Sequence, residues 1–303
     1  MRRERAPMSE RNSLVRALLV ASRPLSWINT AYPFAAIYFL TTGRIDIALI
    51  VGTIFFLVPY NLAMYGINDV FDYESDLANP RKGGVEGAKL PPRLHRATLL
   101  SATLLVVPFV IALVILGAEH PNSWLILAVS LFAVVAYSVR GLRFKEIPVL
   151  DSITSSTHFV TPALYALALA DTTITPGIVV TMLAFFCWGM ASHAFGAVQD
   201  IVPDREAGIG SIATVLGAST TVRFALALWI TAGILMLFAP WPANLAAIAV
   251  LPYIVSVAPY LNVDDAHSGT ANRAWRRFLA INYAVGFVIT LLLILCATEG
   301  LFS

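Results

Sequence analysis

The sequence predicts an all-α, polytopic membrane protein with nine transmembrane helices. Two observations carry that expectation. Of its 303 residues, 58% are hydrophobic and 13% charged, with a mean hydropathy of +0.77, whereas an ordinary soluble domain is about 25% charged. Apolar runs of roughly 17 to 25 residues also recur along the chain, separated by charge and turn formers.

Taken in order, Met1 to Arg16 is basic and no small-residue cleavage site closes a short apolar core behind it, so it reads as a cytoplasmic tail and not a signal peptide. Residues 17–303 then form one membrane domain. Its expected spans are Pro24 to Leu40, Ile47 to Ile67, Ala97 to Gly117, Trp124 to Val139, Ile153 to Ala170, Ile178 to Ala197, Val222 to Leu237, Ala243 to Tyr260 and Phe278 to Ala297. Ser152 to Thr157 makes the start of the fifth polar. The longest connection, Asp72 to Arg96, holds Gly83, Gly84, Pro91 and Pro92 and is expected to cap the site as a mobile loop. Cys187 and Cys296 each lie inside an apolar run, where a buried, inert thiol is the ordinary state.

Orientation follows from lysine and arginine, which cytoplasmic loops retain. With the N-terminus inside, the loops after spans two, four, six and eight are also inside. They hold Arg81, Lys82, Lys89, Arg93, Arg96, Arg140, Arg143, Lys145, Arg205, Arg223, Arg273, Arg276 and Arg277. The connections on the other side contain only Arg44. An odd span count puts the C-terminus outside a plasma membrane.

Two acidic motifs stand at these boundaries. Asn68-Asp-Val-Phe-Asp-Tyr-Glu-Ser-Asp76 follows the second span, and at helical spacing Asn68, Asp72 and Asp76 share one face, leaving Asp69 and Glu74 to the side. Asp200 and Asp204 repeat the spacing after the sixth span. Helix-end solvation is the plainer explanation of such acids, but like charges four apart repel by a few tenths of a kcal/mol unless a cation bridges them. Oxygen-only ligands suit a hard cation such as Mg²⁺, which keeps waters and is shared with substrate phosphates. The expectation is a diphosphate held between two carboxylate clusters on the cytoplasmic face.

Basic residues share that face. Tyr137-Ser-Val-Arg-Gly-Leu-Arg-Phe-Lys145 carries three cations in six residues, and Arg23 stands just before the first span. Positive-inside topology alone accounts for one such loop. Beside two acidic clusters, Arg23, Arg81, Lys82, Arg143 and Lys145 become candidate diphosphate contacts.

Asn68-Asp-x-x-Asp72-x-x-x-Asp76, Asp200-x-x-x-Asp204-x-x-x-Gly208, nine spans and the intervening Tyr137 to Lys145 segment together resemble the UbiA superfamily of intramembrane prenyltransferases. The resemblance covers essentially the whole chain. It implies helices around a central cavity, with two Mg²⁺ ions held against a prenyl diphosphate by Asn68, Asp72, Asp76, Asp200 and Asp204. Asp72, Asp200, Tyr137 and Lys145 are then the catalytic candidates. Arg140-Gly141 departs from the family, where many members carry proline.

Within the superfamily, Arg23-Pro-Leu-Ser-Trp-Ile-Asn-Thr-Ala-Tyr-Pro-Phe34 and Arg143-Phe-Lys-Glu-Ile-Pro-Val-Leu-Asp-Ser-Ile-Thr-Ser156 are similar to the lycopene elongases. That implies dimethylallyl diphosphate as donor and the ends of lycopene as acceptor, giving C45 and C50 carotenoids, in some members with hydration. The partners expected are therefore the donor, a lipophilic acceptor and the bilayer, with no nucleic acid.

The chemistry needs charge stabilisation on the departing diphosphate and a dry pocket for the allylic cation. Tyr65, Phe71, Tyr73, Phe159, Phe186, Trp188 and Phe195 lie on suitable spans for cation–π contacts, although lipid-facing or packing roles are commoner for such residues. His158 and His193 are expected to make interhelical hydrogen bonds, Asp151 to cap span five with Ser152, and Asp264 and Asp265 to be solvated. An aromatic or quinone precursor is the rival acceptor. A transporter is the rival class, disfavoured because the acids gather at one face and not at mid-membrane.

Overall fold

A computed structural model describes residues 10–78 and 89–300, and among them every regular element is helical. The helices are α1 (Glu10–Ala21), α2 (Ile28–Thr42), α3 (Ile47–Leu57), α4 (Pro59–Phe71), α5 (Tyr73–Ala78), α6 (Pro92–Leu116) and α7 (Pro121–Ser138). They continue with α8 (Leu150–Leu169), α9 (Pro176–Val198), α10 (Ile201–Glu206), α11 (Ile212–Leu216), α12 (Ala218–Leu237), α13 (Leu251–Val257) and α14 (Asn272–Thr298). Short 3-10 turns occupy Pro24–Ser26, Phe144–Glu146, Ala243–Val250, Ala258–Tyr260 and Ser268–Ala271. Residues 10–16, expected to belong to a tail, are part of α1, which packs on α4 and α6.

Among the described residues, seven helical segments are long and apolar enough to cross a membrane: Ile47–Phe71, Pro92–Leu116, Pro121–Ser138, Pro176–Val198, Ala218–Leu237, Ala243–Tyr260 and Ser268–Thr298. Two of the nine expected runs fall short. α2 has 15 residues, a length of about 22 Å. α8 is diluted by polar side chains, and Asp151, Ser152, Thr154, Ser156, His158 and Thr161 are buried. The same two helices pack on each other, and α8 also lies against α7 and α9. Polar groups are tolerated in an apolar surround when neighbouring helices bond to them.

The second run was expected as one helix, but it is divided between α3 and α4. Pro59 has no N–H to continue the ladder, and Val58 adopts φ −118°, ψ −58°. Asn61 covers the break, its Nδ2 donating to the Phe56 carbonyl at 2.8 Å and to Thr30 Oγ1 at 2.7 Å. Thr30 in turn donates to the Phe56 carbonyl at 2.6 Å, tying α2 to the kink. The eighth run, Ala243–Tyr260, is likewise irregular, passing from a 3-10 turn to α13 and back, with Pro252 and Pro259 inside it.

Two aromatic cores hold the bundle. Phe34 stands 5.4 Å from Phe56 and 5.9 Å from Tyr165 between ring centroids. In the other half Trp229 stacks on Tyr253 at 5.6 Å, beside Phe195 and Phe278. Where α8 crosses α9, only glycine fits at position 189, because an added Cβ would lie 2.3 Å from Ser156 Oγ. Gly189→Val is expected to wedge the crossing apart and lower stability by about 1–3 kcal/mol. An SDS-unfolding titration in micelles checks this, and an unchanged midpoint rejects the close crossing.

Candidate active site

The helices gather one end of α4, α7, α8 and α9 into a polar rim, with Asp72 at its centre. The chain leaves α4 at Phe71, but the Asp72 N–H still bonds to the Asn68 carbonyl at 2.9 Å. Asn68 and Asp72 therefore stay one turn apart, and Asn68 Nδ2 donates to Asp72 Oδ2 at 2.6 Å and to Ser138 Oγ at 3.1 Å. The expected unbroken face through Asp76 does not exist, since helix geometry is interrupted at Asp72 before α5 begins. The Asp76 side chain, Arg81 and Lys82 lie outside the described residues.

Asp72 is 6% exposed and draws two cations: Lys145 Nζ pairs with Oδ1, and Arg143 Nη2 lies 3.7 Å from the same atom. Both come from the short turn Phe144–Glu146 and its preceding residue. Arg143 also pairs with Glu146. That hydrogen bond holds the Glu146 carboxyl below its ordinary range and pushes Arg143 up. The pair's contribution to stability is thus present at neutral pH and fades as acid protonates Glu146 through its lowered value.

Arg23 occupies the facing side. Its Nη2 lies 3.0 Å from Asp69 Oδ1, and its guanidinium sits 4.2 Å over the Tyr65 ring. Asp69, expected to stand aside, is fully buried and part of the site. Helical spacing from Asn68 excluded it, because it turns toward Arg23 and not toward Asp72. Arg23 and Arg143 share a further property: both are non-glycine residues in the left-handed region, at φ 51° and 42°. Such backbone costs about 1–3 kcal/mol and clusters at functional sites. Gly141, at φ 93°, lets the α7–α8 connection turn where a proline would not fit.

The second acidic motif keeps its expected spacing, since Asp204 N–H bonds to the Asp200 carbonyl at 2.9 Å at the start of α10. The loop behind it reaches the basic turn directly: a Cβ at Gly210 would stand 2.5 Å from the Glu146 carbonyl oxygen. Asp151 reinforces this junction. The N-cap position of α8 is Val149, but Asp151 Oδ1 accepts the Ser152 N–H and hydroxyl in the first turn, and its Oδ2 accepts the Ile212 N–H at 2.7 Å. Asp265, expected to be solvated, accepts from the Ala218 N–H at 2.7 Å and from Arg205 Nη1 at 2.6 Å, which hold its carboxyl below the usual range.

Among the described residues, no three His, Cys, Asp or Glu side chains converge into a preformed metal cage. Mg²⁺ does not require one, since it keeps waters and takes one or two carboxylates plus substrate phosphates. The donors fit such an ion: Asn68, Asp72, Asp200 and Asp204 offer oxygen only, and buried Asp72 already collects positive charge. Of the aromatic candidates, Tyr65 meets a cation, in Arg23. Phe195 is 1% exposed and packs on Trp229, while Tyr73 packs on His95.

Both histidines make the interhelical bonds expected of them. His158 Nδ1 lies 3.1 Å from Tyr60 Oη, joining α8 to α4. His193 Nε2 lies 3.1 Å from Tyr137 Oη, and Nδ1 lies 3.2 Å from Ser152 Oγ, joining α9 to α7 and α8. Asp69, Ser138, Glu146 and Ser152 are the site residues that sequence reasoning passed over. Ser138 was legible as the neighbour of Tyr137 at a span end; Ser152 carried no signal beyond polarity inside an apolar run.

The chain matches the UbiA prenyltransferase family over residues 30–284. It is 55% identical over 278 residues to the C(50) beta-cyclic carotenoids biosynthesis protein LbtBC of Dietzia, covering 91% of this chain and 64% of that protein. The chain thus spans a little under two thirds of that relative. It is 50% identical over 280 residues to the lycopene elongase/hydratase of Corynebacterium glutamicum, covering 92% and 97%. A UbiA homolog from Archaeoglobus fulgidus, solved bound to DMAPP and Mg²⁺, shares the fold with a TM-score of 0.64 at 19% identity, over 88% of this chain and 98% of that one. A family match across most of the chain, relatives at half identity and the same helical architecture agree: the chain belongs to the UbiA prenyltransferase family, as a multi-pass membrane protein.

Proposed function

We propose that this protein transfers a dimethylallyl group from its diphosphate to the ends of lycopene, giving C45 and then C50 carotenoids, in a reaction that requires two Mg²⁺ ions. The observation that carries the reading is the convergence of Asn68, Arg143 and Lys145 on buried Asp72 at one end of the bundle. Support for the acceptor comes from the relatives named for lycopene elongation and C50 carotenoid synthesis. Support for donor and metal comes from the fold neighbour that holds DMAPP and Mg²⁺.

Asn68, Asp72, Asp76, Asp200 and Asp204 would hold the ions, which would supply Lewis-acid stabilisation of the departing diphosphate. Lys145 and Arg143 swing between Asp72 and the diphosphate, neutralising charge as the carbon–oxygen bond breaks. Arg23 stays on Asp69 and offers its remaining N–H groups to the same anion. The acceptor reaches the allylic carbon from the apolar interior, which keeps water from the cation. α2 and α8 complete nine spans, with the N-terminus and rim cytoplasmic and the C-terminus external.

Membranes containing the protein, given dimethylallyl diphosphate, Mg²⁺ and lycopene, are expected to form C45 and C50 products that vanish with EDTA. Chromatography with mass spectrometry reads both chain lengths and any added water. Folded protein that leaves accessible lycopene unchanged, yet alkylates an aromatic or quinone precursor, removes the carotenoid assignment.

A further inference from the structure

Alkylating an alkene leaves a carbocation on the acceptor, and a proton must leave before the product is neutral. In the candidate metal cluster Asp72 is already engaged by two cations, Lys145 and Arg143. A second polar chain stands beside that cluster. Tyr137 precedes Ser138, the residue that receives Asn68 at 3.1 Å. Tyr137 and His193 lie deep among the helices and both still retain some accessible surface.

The hydrogen bonds in this chain have one consistent direction. Ser152 Oγ carries a single proton and donates it to Asp151 Oδ1 at 3.0 Å. Toward His193 Nδ1, at 3.2 Å, Ser152 must therefore accept, so Nδ1 bears the hydrogen. His193 Nε2 is left with its lone pair, and Tyr137 O–H donates to it at 3.1 Å. The order is Tyr137, His193, Ser152, Asp151, and Asp151 is fixed at the far end by the Ile212 N–H. The arrangement is a base with an orienting group behind it. His158, edge-on to the Tyr137 ring at 5.7 Å, is bonded to Tyr60 and stands outside this order.

We infer that Tyr137 and His193, backed by Ser152 and Asp151, accept the proton released when the alkylated acceptor cation is quenched. This rests on the prenyl-transfer reading above. The donor's carbon–oxygen bond breaks with its electron pair leaving on diphosphate, and the acceptor π bond forms the new carbon–carbon bond. The adjacent C–H bond of the resulting tertiary cation then supplies the electrons of a new alkene. Its proton goes to the Tyr137 oxygen as Tyr137 passes its own to His193 Nε2. The imidazolium keeps Nδ1–H on Ser152, against the Asp151 charge, and later releases its proton to solvent. When water captures the cation instead, the same oxygen takes the proton from that water. Tyr137 is the group in contact with the reacting atoms; Ser152 and Asp151 act through His193.

The test compares wild type, His193→Gln and Ser152→Ala in one assay that reads released diphosphate and alkylated acceptor separately, with donor affinity measured in Mg²⁺. Gln at 193 preserves an acceptor toward Tyr137 and a donor toward Ser152 but takes no proton. A relay predicts diphosphate release within about threefold of wild type and neutral alkylated acceptor lowered by at least about 30-fold, because a tertiary cation that cannot lose its proton breaks the new carbon–carbon bond again, and water takes the returned allylic cation as free prenol. Ser152→Ala is expected to fall between the two. His193→Gln that alkylates at the wild-type rate overturns the relay, as does a parallel loss of diphosphate release and alkylation. Should Gln prevent folding, as judged by gel filtration in detergent, His193→Ala is read against the same two outcomes. Wild-type protein that alkylates a different acceptor defeats the lycopene reading while still testing the relay on that acceptor; wild type that releases no diphosphate defeats both.

Discussion

Asp72→Ala is expected to lower prenyl transfer by about 10³-fold, on the scale of losing one preorganised transition-state contact, while the protein stays folded and inserted. Asp72 is where the proposed metal set meets the basic residues: it accepts from Asn68 and pairs with both Lys145 and Arg143. Its removal deletes a carboxylate oxygen from the proposed metal set and frees two cations to bind diphosphate directly. The variant is therefore expected to keep affinity for inorganic diphosphate without Mg²⁺ and to lose turnover with it. Product mass spectrometry, paired with calorimetric diphosphate binding, separates those two effects. Turnover within tenfold of wild type would end the argument for Asp72 as the centre of the site. Asp200→Ala is expected to behave alike, because the second cluster is proposed to supply the other half of the metal set.

Arg23→Met is expected to destabilise the protein by about 3 kcal/mol. The Asp69 side chain is fully buried and Arg23 is 16% exposed, so truncating the arginine takes a cation at 3.0 Å away from a buried carboxylate. The Tyr65 ring also loses the cation above it. A surface pair would contribute far less, at most about 1 kcal/mol. The double variant Arg23→Met, Asp69→Leu is expected to recover most of the stability, because the buried carboxylate is removed together with its cation. It is not expected to recover donor affinity, because the cation proposed to face the diphosphate is still missing. Unfolding titrations and donor binding on the three variants test this, and a single variant as stable as wild type refutes the buried pair.

Much of the site was legible because membrane sequences place few charges, so each one is informative. Asn68, Asp72, Asp200, Asp204, Arg143 and Lys145 all stand at run ends, and the structure brings the first two together with the last two. Partners lying far apart in sequence were not legible. Asp69 finds Arg23 across 46 residues and Asp151 finds the Ile212 N–H across 61, and no local spacing encodes either contact. The break at Pro59 was hidden for a different reason: hydropathy is blind to a missing N–H, and Asn61 reads as an ordinary polar residue until the Phe56 carbonyl is seen to need it.

The sequence by itself determined that this is a helical membrane protein with two carboxylate motifs at helix ends, because burial in hydrocarbon restricts composition and periodicity residue by residue. It also determined the family, through the spacing within those motifs. Only the tertiary structure decided which charges meet. It turned α4 at Asp72, put Arg23 on Asp69, and lined up Tyr137, His193, Ser152 and Asp151 from three helices. Hydrogen bonds and ion pairs are short-range and directional, so they depend on where helices cross, and crossing positions are set by packing at contacts such as Gly189 against Ser156.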